Sequence, residues 1–278
     1  MDTCFKILVT TLILVSGLCY GANDFSDDAN CKALWRFEDG ALTTDSKGTN
    51  TLTNSGAIAD TSRYKEGAAS ADFEESDPDY MTIADGDLDA GFPLKNGDAT
   101  KKISVCFWFR SELLPANDNE YRVLCSKYHH TDNKRSFAII YQKSAAYGQD
   151  LILQLGHTSG NNAESLWLDR MELAVDTWYH VGVTYQDSDK SYHIRLWDDS
   201  GSTNYDRTGT ATNNINIEDA SWTIGNYSSL VAGVYHAGLI DEMVVFNDIL
   251  SSAEIDQIRG GTYGASSTNA QVIIIGGM

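Results

Sequence analysis

The sequence predicts an all-β fold, a two-sheet antiparallel β-sandwich with one short C-terminal helix. Two observations support this prediction. Short apolar or alternating runs recur along the chain between clusters of Gly, Asn, Asp and Ser, which is the pattern of strands and turns in a sandwich. A segment near the C-terminus carries the signals that begin and end a helix. The chain has 3 prolines and no Ser/Gly/Pro-rich linker, so one domain is expected.

The strands are predicted from apolar or alternating runs. The run Ile103–Arg110 is apolar on both faces, which predicts a central strand. The runs Trp178–Tyr185 and Tyr192–Trp197 are joined by a polar turn and predict a hairpin. In chain order, all the predicted strands are Lys32–Phe37, Ala69–Phe73, Tyr80–Ile83, Ile103–Arg110, Arg122–Lys127, Ser136–Gln142, Leu151–Leu155, Trp178–Tyr185, Tyr192–Trp197, Trp222–Ile224 and Gly238–Phe246.

The predicted helix follows the last of these strands. Ser251 and Glu254 have the spacing of a capping box, in which each side chain bonds the backbone N–H of the other residue. Leu250 and Ile255 can pack together across the start of the helix as a hydrophobic staple. The two glycines at 260–261 end it.

The first 21 residues have the features of a secretory signal peptide. One lysine precedes an apolar core, Ile7–Leu18, and small residues precede a cleavage point ahead of Ala22. This core is shorter than the roughly 20 apolar residues that span a bilayer. We therefore expect a secreted, extracellular protein with no membrane insertion, in which residues 22–264 form the sandwich domain and residues 265–278 a short tail.

The formal net charge of the chain is −19. Such a surface repels nucleic acid phosphates and anionic membranes, so no nucleic acid partner is expected. The charge is compatible with calcium, with a neutral glycan or with a basic extracellular protein. The alternative is that the acidic residues only keep the protein soluble.

Three cysteines follow the predicted signal peptide: Cys31, Cys106 and Cys125. Cys106 and Cys125 lie in two strand-like runs joined by a polar loop, so we expect them to form a disulfide if those strands are neighbours. Cys31 would then be free or intermolecular. In the alternative interpretation all three cysteines are small buried hydrophobic residues.

Four pairs of segments resemble the laminin-G-like, pentraxin-related jelly-roll domains of the concanavalin A-like lectin/glucanase superfamily, in the order that the family has them. Together they extend roughly from Lys32 to Gly260. The segments are Ala33–Gly40 with Thr44–Gly48, Gly67–Phe73 with Asp79–Ile83, Lys102–Phe109 with Thr177–Thr184, and Gly238–Phe246 with Leu250–Ile255. The resemblance implies a sandwich whose members bind glycans or extracellular proteins.

The same resemblance implies a structural calcium ion that ties the opening strand to the closing Gly-x-Ile-Asp-Glu signature. Carried over to this sequence, the candidate ligands are Glu38 or Asp39, Asp45, and Asp241. Calcium takes six to eight hard oxygen ligands, which carboxylates and loop carbonyls supply. The alternative is a solvated acidic rim.

No catalytic residues are predicted. Glycoside hydrolases of this fold place carboxylates on alternate positions of one strand, as in Glu-x-Asp-x-x-Glu. The nearest match is Trp167–Glu172, which has tryptophan in place of the first glutamate. Asp169 and Glu172 would also face opposite sides of a strand. An enzyme therefore stays an alternative without a specific motif.

Sugar binding would use aromatic side chains next to polar loops, because the apolar face of a pyranose stacks on an aromatic ring. The candidates are Tyr128, Tyr147, Trp167, Trp197 and Tyr205. The alternative is that most of them are ordinary loop residues, although binding residues concentrate on loops.

Together these observations predict a secreted lectin-type module that recognises a glycan or an extracellular protein, with calcium as a structural ion. The first alternative is a polysaccharide-degrading hydrolase or lyase of the same fold, which would show two carboxylates facing one cleft. The second is a structural or adhesive matrix protein, which would show a flat sandwich face without exposed aromatic residues.

Overall fold

The computed structural model of the protein confirms a two-sheet antiparallel sandwich with one C-terminal helix. The predicted signal peptide, nearly all of the predicted tail and Tyr147 lie outside the described residues. The structure describes residues 23–130, 132–146, 148–157, 162–169 and 172–265.

The chain passes several times between the two sheets. Sheet A contains β1 (Cys31–Trp35), β3 (Ile58–Asp60), β4 (Ser70–Phe73), β6 (Lys102–Ser111), β11 (Trp178–Gln186), β12 (Ser191–Asp198), β13 (Thr203–Thr210) and β15 (Gly238–Phe246). Sheet B contains β2 (Thr53–Ser55), β5 (Tyr80–Ile83), β7 (Tyr121–His129), β8 (Lys134–Ser144), β9 (Gly148–Gly156), β10 (Ala163–Trp167) and β14 (Trp222–Ile224).

The strand order confirms the predicted central strand. Sheet A runs β13-β12-β11-β6-β15-β4-β3, with β1 also paired to β15, and sheet B runs β10-β9-β8-β7-β14-β5-β2. Strand β6 therefore lies between β11 and β15, and β11 with β12 forms the predicted hairpin. The strands that were not predicted are β2, β3, β10 and β13, which are mostly polar and lie at or near the sheet edges.

The core lies between the two sheets. Every second residue of β6, from Ile103 to Phe109, points into it. An aromatic cluster fills its middle, where Trp222 of β14 stacks on Trp35 of sheet A at 6.2 Å and on Phe137 of sheet B at 6.3 Å between ring centroids. Because these rings belong to both sheets, they join the two layers.

Helix α1 (Ser252–Arg259) packs on the outer face of sheet A, the face turned away from sheet B. The predicted capping box is present, since the Ser251 hydroxyl accepts from the Glu254 N–H and the Glu254 carboxylate accepts from the Ser251 N–H. Ile255 approaches β11 so closely that a Cβ at Gly182 would lie 2.4 Å from its Cγ2. Within the described residues no helix is long and apolar enough to cross a membrane.

The predicted disulfide between Cys106 and Cys125 is wrong. The polar loop after β6 crosses from sheet A to sheet B, so the two strands are not neighbours. Cys106 faces the helix on the outer face of sheet A, whereas Cys125 lies between the sheets. Both thiols are free and buried, as is Cys31, whose pKa burial raises to about 12. The cysteines therefore behave as small buried hydrophobic residues.

Candidate binding site on the outer face of sheet B

The outer face of sheet B, turned away from sheet A, carries its own apolar cluster. Val123, Ile140 and Ile152 lie in register across β7, β8 and β9. Tyr128 and Tyr227 pack against this row, and their rings stack with centroids 4.8 Å apart. These buried side chains form a floor on the outer face of sheet B, and Tyr121, Ala163, Trp167 and Val231 pack against it.

The segment after β14 places Tyr227 on this floor. Gly225 turns the chain with a φ of +87°, a conformation that glycine adopts without strain. Asn226 is fully buried, and its side chain accepts from the Tyr227 N–H at 2.6 Å and donates to the Val231 carbonyl at 3.0 Å. Because both amide atoms of Asn226 are bonded inside the fold, the Asn-Tyr-Ser glycosylation motif that begins there is inaccessible in the folded chain.

A pocket of ≈ 360 Å³ opens above the floor, and we call it the tyrosine pocket. Most of its other lining side chains can donate or accept hydrogen bonds. The lining includes Tyr121, Tyr128, Tyr227, His130, Arg135, Gln142, Gln154 and Ser165. A volume of this size lies in the range of small-ligand sites.

Gln154 connects the floor to the pocket. It lies in register with Ser165 on β10, and its side-chain oxygen accepts a hydrogen bond from the Tyr227 hydroxyl at 2.7 Å. This bond fixes which end of the amide faces Tyr227, so the Gln154 nitrogen is the end that can donate to a ligand. Gln142 of β8 supplies a second amide, beside Tyr121 in register.

Arg135 supplies one positive charge to the tyrosine pocket. Its guanidinium lies 5.4 Å from the centroid of the Tyr128 ring and donates to the backbone carbonyl of His130. Burial, with the Arg135 charge beside it, lowers the pKa of His130, so this imidazole is neutral at pH 7. The pocket therefore combines one fixed cation with neutral hydrogen-bonding groups.

The described lining of the tyrosine pocket lacks the pair of carboxylic acids that most glycosidases use. None of the described residues that line it is Asp or Glu, so the pocket offers no pair of carboxylates for acid–base or nucleophilic chemistry. The carboxylate of Asp169, part of the nearest sequence match to a glycosidase motif, pairs with Arg207 at 3.2 Å instead. The arrangement can hold a ligand by hydrogen bonds.

The structure separates the aromatic residues predicted to bind a sugar. Tyr128 lines the tyrosine pocket, and Trp167 packs against the same outer-face cluster. Trp197 lies on the opposite sheet, beside helix α1, and Tyr205 packs against the core between the sheets. Tyr147 lies outside the described residues.

Sequence reasoning missed Tyr121, Gln154 and Tyr227. Gln154 is a polar residue within a predicted strand, and this was the local feature that could have identified it as a binding residue. Tyr227 reaches the site only because β14 pairs with β7, although the two strands are far apart in the chain. No local pattern contains that information.

Two of the predicted calcium ligands hold the same backbone segment. The Oδ2 of Asp241 accepts from the N–H groups of Lys65 and Glu66 at 2.7 and 3.2 Å, and the Glu38 carboxylate accepts from the Ala68 N–H. The Oδ1 of Asp241 is buried and has no hydrogen-bond partner within the described chain. Burial raises the pKa of Asp241 to about 7. An unpartnered, buried carboxylate oxygen fits a cation ligand.

The structure gives less support to the other two predicted calcium ligands. Asp45 accepts from the N–H groups of Leu34, Lys47 and Asn50, and from the Asn50 side chain, so donors occupy both of its oxygens. Asp39 is exposed. No three of Glu38, Asp39, Asp45 and Asp241 have ligand atoms within 4.8 Å of one another, so one ion shared by this set stays a prediction.

One other acidic group was brought together by the fold. Asp72, Glu74 and Glu112 have ligand atoms within 4.8 Å of one another, which no other trio of His, Cys, Asp or Glu in the described residues achieves. The Arg63 guanidinium pairs with both Asp72 and Glu112, so a cation of the chain already balances part of the charge of this group. Calcium binding stays a prediction, and Asp241 is the residue whose geometry agrees with it.

The comparison with known sequences gives one family. A family model described as the concanavalin A-like lectin/glucanases superfamily matches residues 79–256, well over half of the chain. No curated protein matches the sequence.

Solved structures share the fold at low sequence identity. The enzymatically active domain of tailspike protein 2 from bacteriophage CBA120 is 12% identical with a TM-score of 0.53, and the match covers 77% of this chain and 30% of that one. A pentraxin from Limulus polyphemus is 14% identical with a TM-score of 0.42, over 58% of this chain and 70% of the other. A Ruminococcus gnavus sialidase CBM40 bound to α2,3-sialyllactose is 16% identical with a TM-score of 0.41, over 59% and 84%. At these identities the likeness concerns the fold alone.

Proposed function

The chain belongs to the concanavalin A-like lectin/glucanase superfamily, and on that premise we propose that it is a glycan-binding module whose ligand occupies the tyrosine pocket. The observation that carries this proposal is the composition of the pocket. Hydrogen-bonding side chains surround a tyrosine floor, and none of the described lining residues is a carboxylic acid. Lectins and glucanases of this superfamily share the same sandwich fold. The residues of the site, and not the fold, therefore distinguish a binding module from an enzyme.

Sugar hydroxyls match this lining. Each hydroxyl is both a donor and an acceptor, and the amides of Gln142 and Gln154 offer both roles. The floor of Tyr128 and Tyr227 is held by stacking and by a hydrogen bond, so little ordering is needed when a ligand binds. A preformed polar pocket of this kind favours a hydroxyl-rich ligand as the binding partner, rather than the extended surface of another protein.

We also propose that the protein acts outside the cell. The signal-like segment at residues 1–21 and the net charge of −19 support this assignment. A secreted glycan-binding protein meets free or cell-surface glycans directly. Binding of a partner other than a glycan would be detected in the same binding experiment.

Replacing Gln154 with alanine is expected to weaken glycan binding about 5- to 10-fold, which corresponds to one lost hydrogen bond. The Tyr227 hydroxyl would also lose its acceptor. The measurement is a glycan array with the purified protein, followed by calorimetric titration of the best glycan with parent and variant. Circular dichroism establishes that the variant is folded.

The matched control is Gln257→Ala, since Gln257 is exposed on helix α1, on the other side of the sandwich. This control is expected to bind like the parent. The proposal fails if no neutral glycan on the array binds, or if Gln154→Ala and the parent bind the best neutral glycan equally well. If the protein instead bound a basic extracellular protein and no glycan, the alternative function of binding an extracellular protein would be favoured.

Calcium is proposed as a structural ion at Asp241. The cation would be held by the buried carboxylate oxygen that lacks a donor, and it would supply the charge that this site is missing. If so, calcium raises the thermal unfolding temperature of the protein relative to a chelator, because an ion that binds only the folded state stabilises it. The calcium-dependent difference is expected to disappear in Asp241→Asn.

The control for this measurement is Asp45→Asn, because both oxygens of Asp45 already accept hydrogen bonds from the chain. This variant is expected to be less stable yet to keep the difference between calcium and chelator. Equal unfolding temperatures of the parent protein in calcium and in chelator would refute a structural calcium ion.

A further inference from the structure

A second pocket lies on the opposite side of the sandwich, on the outer face of sheet A. Trp197, His180 and Trp108 lie in register across β12, β11 and β6. Beside the two indoles the structure has a pocket of ≈ 540 Å³, which we call the tryptophan pocket. Its lining includes Lys65, Glu66, Trp108, Trp197, Asp199 and Arg259. None of these residues lines the tyrosine pocket.

Each indole carries a cation. The Arg259 guanidinium carbon lies 3.8 Å from the centroid of the Trp197 ring, and the Lys65 ammonium lies 4.3 Å from that of Trp108. Both distances are in the range of cation–π contacts. The contacts fix two positive charges at the pocket of a protein whose net charge is −19.

The guanidinium of Arg259 has unused donors. Its nearest carboxylate is Asp256, with Nε 3.6 Å from Oδ1, beyond hydrogen-bond distance. Arg195 already binds Asp256 through two hydrogen bonds of 3.1 and 2.8 Å. The Nε of Arg259 is buried and closed to a ligand, whereas its two Nη groups make no hydrogen bond to the described residues. A planar guanidinium held on an indole at the border of a pocket suits a carboxylate, which would bind these Nη groups.

The acidic members of the lining restrict the ligand further. Asp199 and Glu66 border the same pocket. Asp199 accepts from the Lys65 ammonium at 2.9 Å and from the Trp197 indole N–H at 3.4 Å, and Glu66 accepts from the Asn23 side chain at 3.2 Å. Each carboxylate oxygen can accept a further hydrogen bond but cannot donate one when charged. A ligand that carries only a carboxylate would leave these acceptors facing an anion. A ligand that also carries hydroxyls satisfies them. An apolar C–H surface would contact the indole edges.

We propose that the tryptophan pocket binds an acidic sugar, with its carboxylate on Arg259 and its hydroxyls on Asp199 and Glu66. Because this pocket and the tyrosine pocket lie on opposite sheets, one molecule would present two glycan sites facing away from each other. Such a protein could connect two glycan chains without forming a dimer.

The test is a titration of the purified protein with trigalacturonate, and with galactotriose as the neutral counterpart. Intrinsic tryptophan fluorescence and calorimetry are the two readouts, and fluorescence reports on Trp108 and Trp197 at the pocket. The expected result is saturable binding of the acidic trisaccharide, with no binding of the neutral one at the same concentrations. Arg259→Gln and Lys65→Gln are expected to weaken the acidic ligand about tenfold or more.

The matched control is Lys134→Gln, which removes a partly exposed lysine that lines neither pocket and is expected to leave trigalacturonate binding unchanged. Gln154→Ala reports separately on the tyrosine pocket. Arg259→Lys keeps the charge without the planar fork and is expected to fall between Arg259→Gln and the parent. Three results would overturn the proposal: no saturable binding, equal binding of galactotriose, or full affinity in both Arg259→Gln and Lys65→Gln. Loss of binding in Gln154→Ala alone would place the acidic sugar in the tyrosine pocket, which contradicts this inference while supporting the first proposal.

Discussion

Replacing Lys127 with methionine is expected to lower the free energy of unfolding by about 3–5 kcal/mol. The Lys127 side chain is fully buried, and its ammonium lies 2.7 Å from the Asp85 carboxylate. It also donates to the backbone carbonyls of Glu218 and Ala220 at 2.6 and 2.9 Å. Methionine keeps much of the volume but leaves a buried carboxylate without its counter-charge and two carbonyls without a donor.

The measurement is urea unfolding of the parent and the variant, extended to a double-mutant cycle with Asp85→Asn. The double variant is expected to recover part of the loss, because the unpaired charge is then absent. Lys134→Ala is the matched control, since Lys134 pairs with Asp219 at 2.9 Å but both side chains are largely exposed. Such exposed pairs contribute about 0–1 kcal/mol. A loss no larger in Lys127→Met than in Lys134→Ala would contradict the expected role of the buried pair.

The Trp222→Ala variant is expected to lose about 3–5 kcal/mol of unfolding free energy. The Trp222 ring is fully buried and contacts aromatic rings from both sheets, with a further edge contact to Phe92 at 5.5 Å. Removing it opens a cavity in the middle of the core. Because Trp222 begins the strand that leads to Tyr227, the floor of the tyrosine pocket depends on the same packing.

Trp222→Phe separates the packing of the ring from the polarity of the indole. The indole N–H of Trp222 is buried with no hydrogen-bond partner among the described residues, so phenylalanine removes an unsatisfied donor while it keeps an aromatic ring. In urea unfolding, Trp222→Phe is expected to lose clearly less unfolding free energy than Trp222→Ala. Equal losses in the two variants would show that the lost ring volume is not what destabilises the protein.

The fold class, most of the strands and the helix were predicted correctly from the sequence. Each of these depends on residues that are neighbours in the chain. Alternation along β6 identified a strand buried on both faces, and that strand is central. The spacing of Ser251 and Glu254 identified the start of the helix. The family followed from segments of this kind taken in order, and residues 79–256 match it.

The sequence determined less about the binding site. Tyr128 was predicted as a ligand-binding residue and lines the tyrosine pocket, because an aromatic residue beside a polar loop is a local signal. Gln154 and Tyr227 were not predicted, since their hydrogen bond joins strands that are distant in the chain. The short polar strands, such as β13, were missed because edge strands are held by backbone pairing and have no apolar pattern of their own.

Contacts between residues far apart in the chain were not predicted and became visible in the folded protein. It put Cys106 and Cys125 in different layers and so removed the expected disulfide. It turned Asp45 towards backbone donors while it left one oxygen of Asp241 without any. It also placed Arg259 on the ring of Trp197, which creates the tryptophan pocket. Local patterns predict which residues share one face of a strand, but the order of the strands, and hence which side chains meet, depends on pairing and burial over the whole chain.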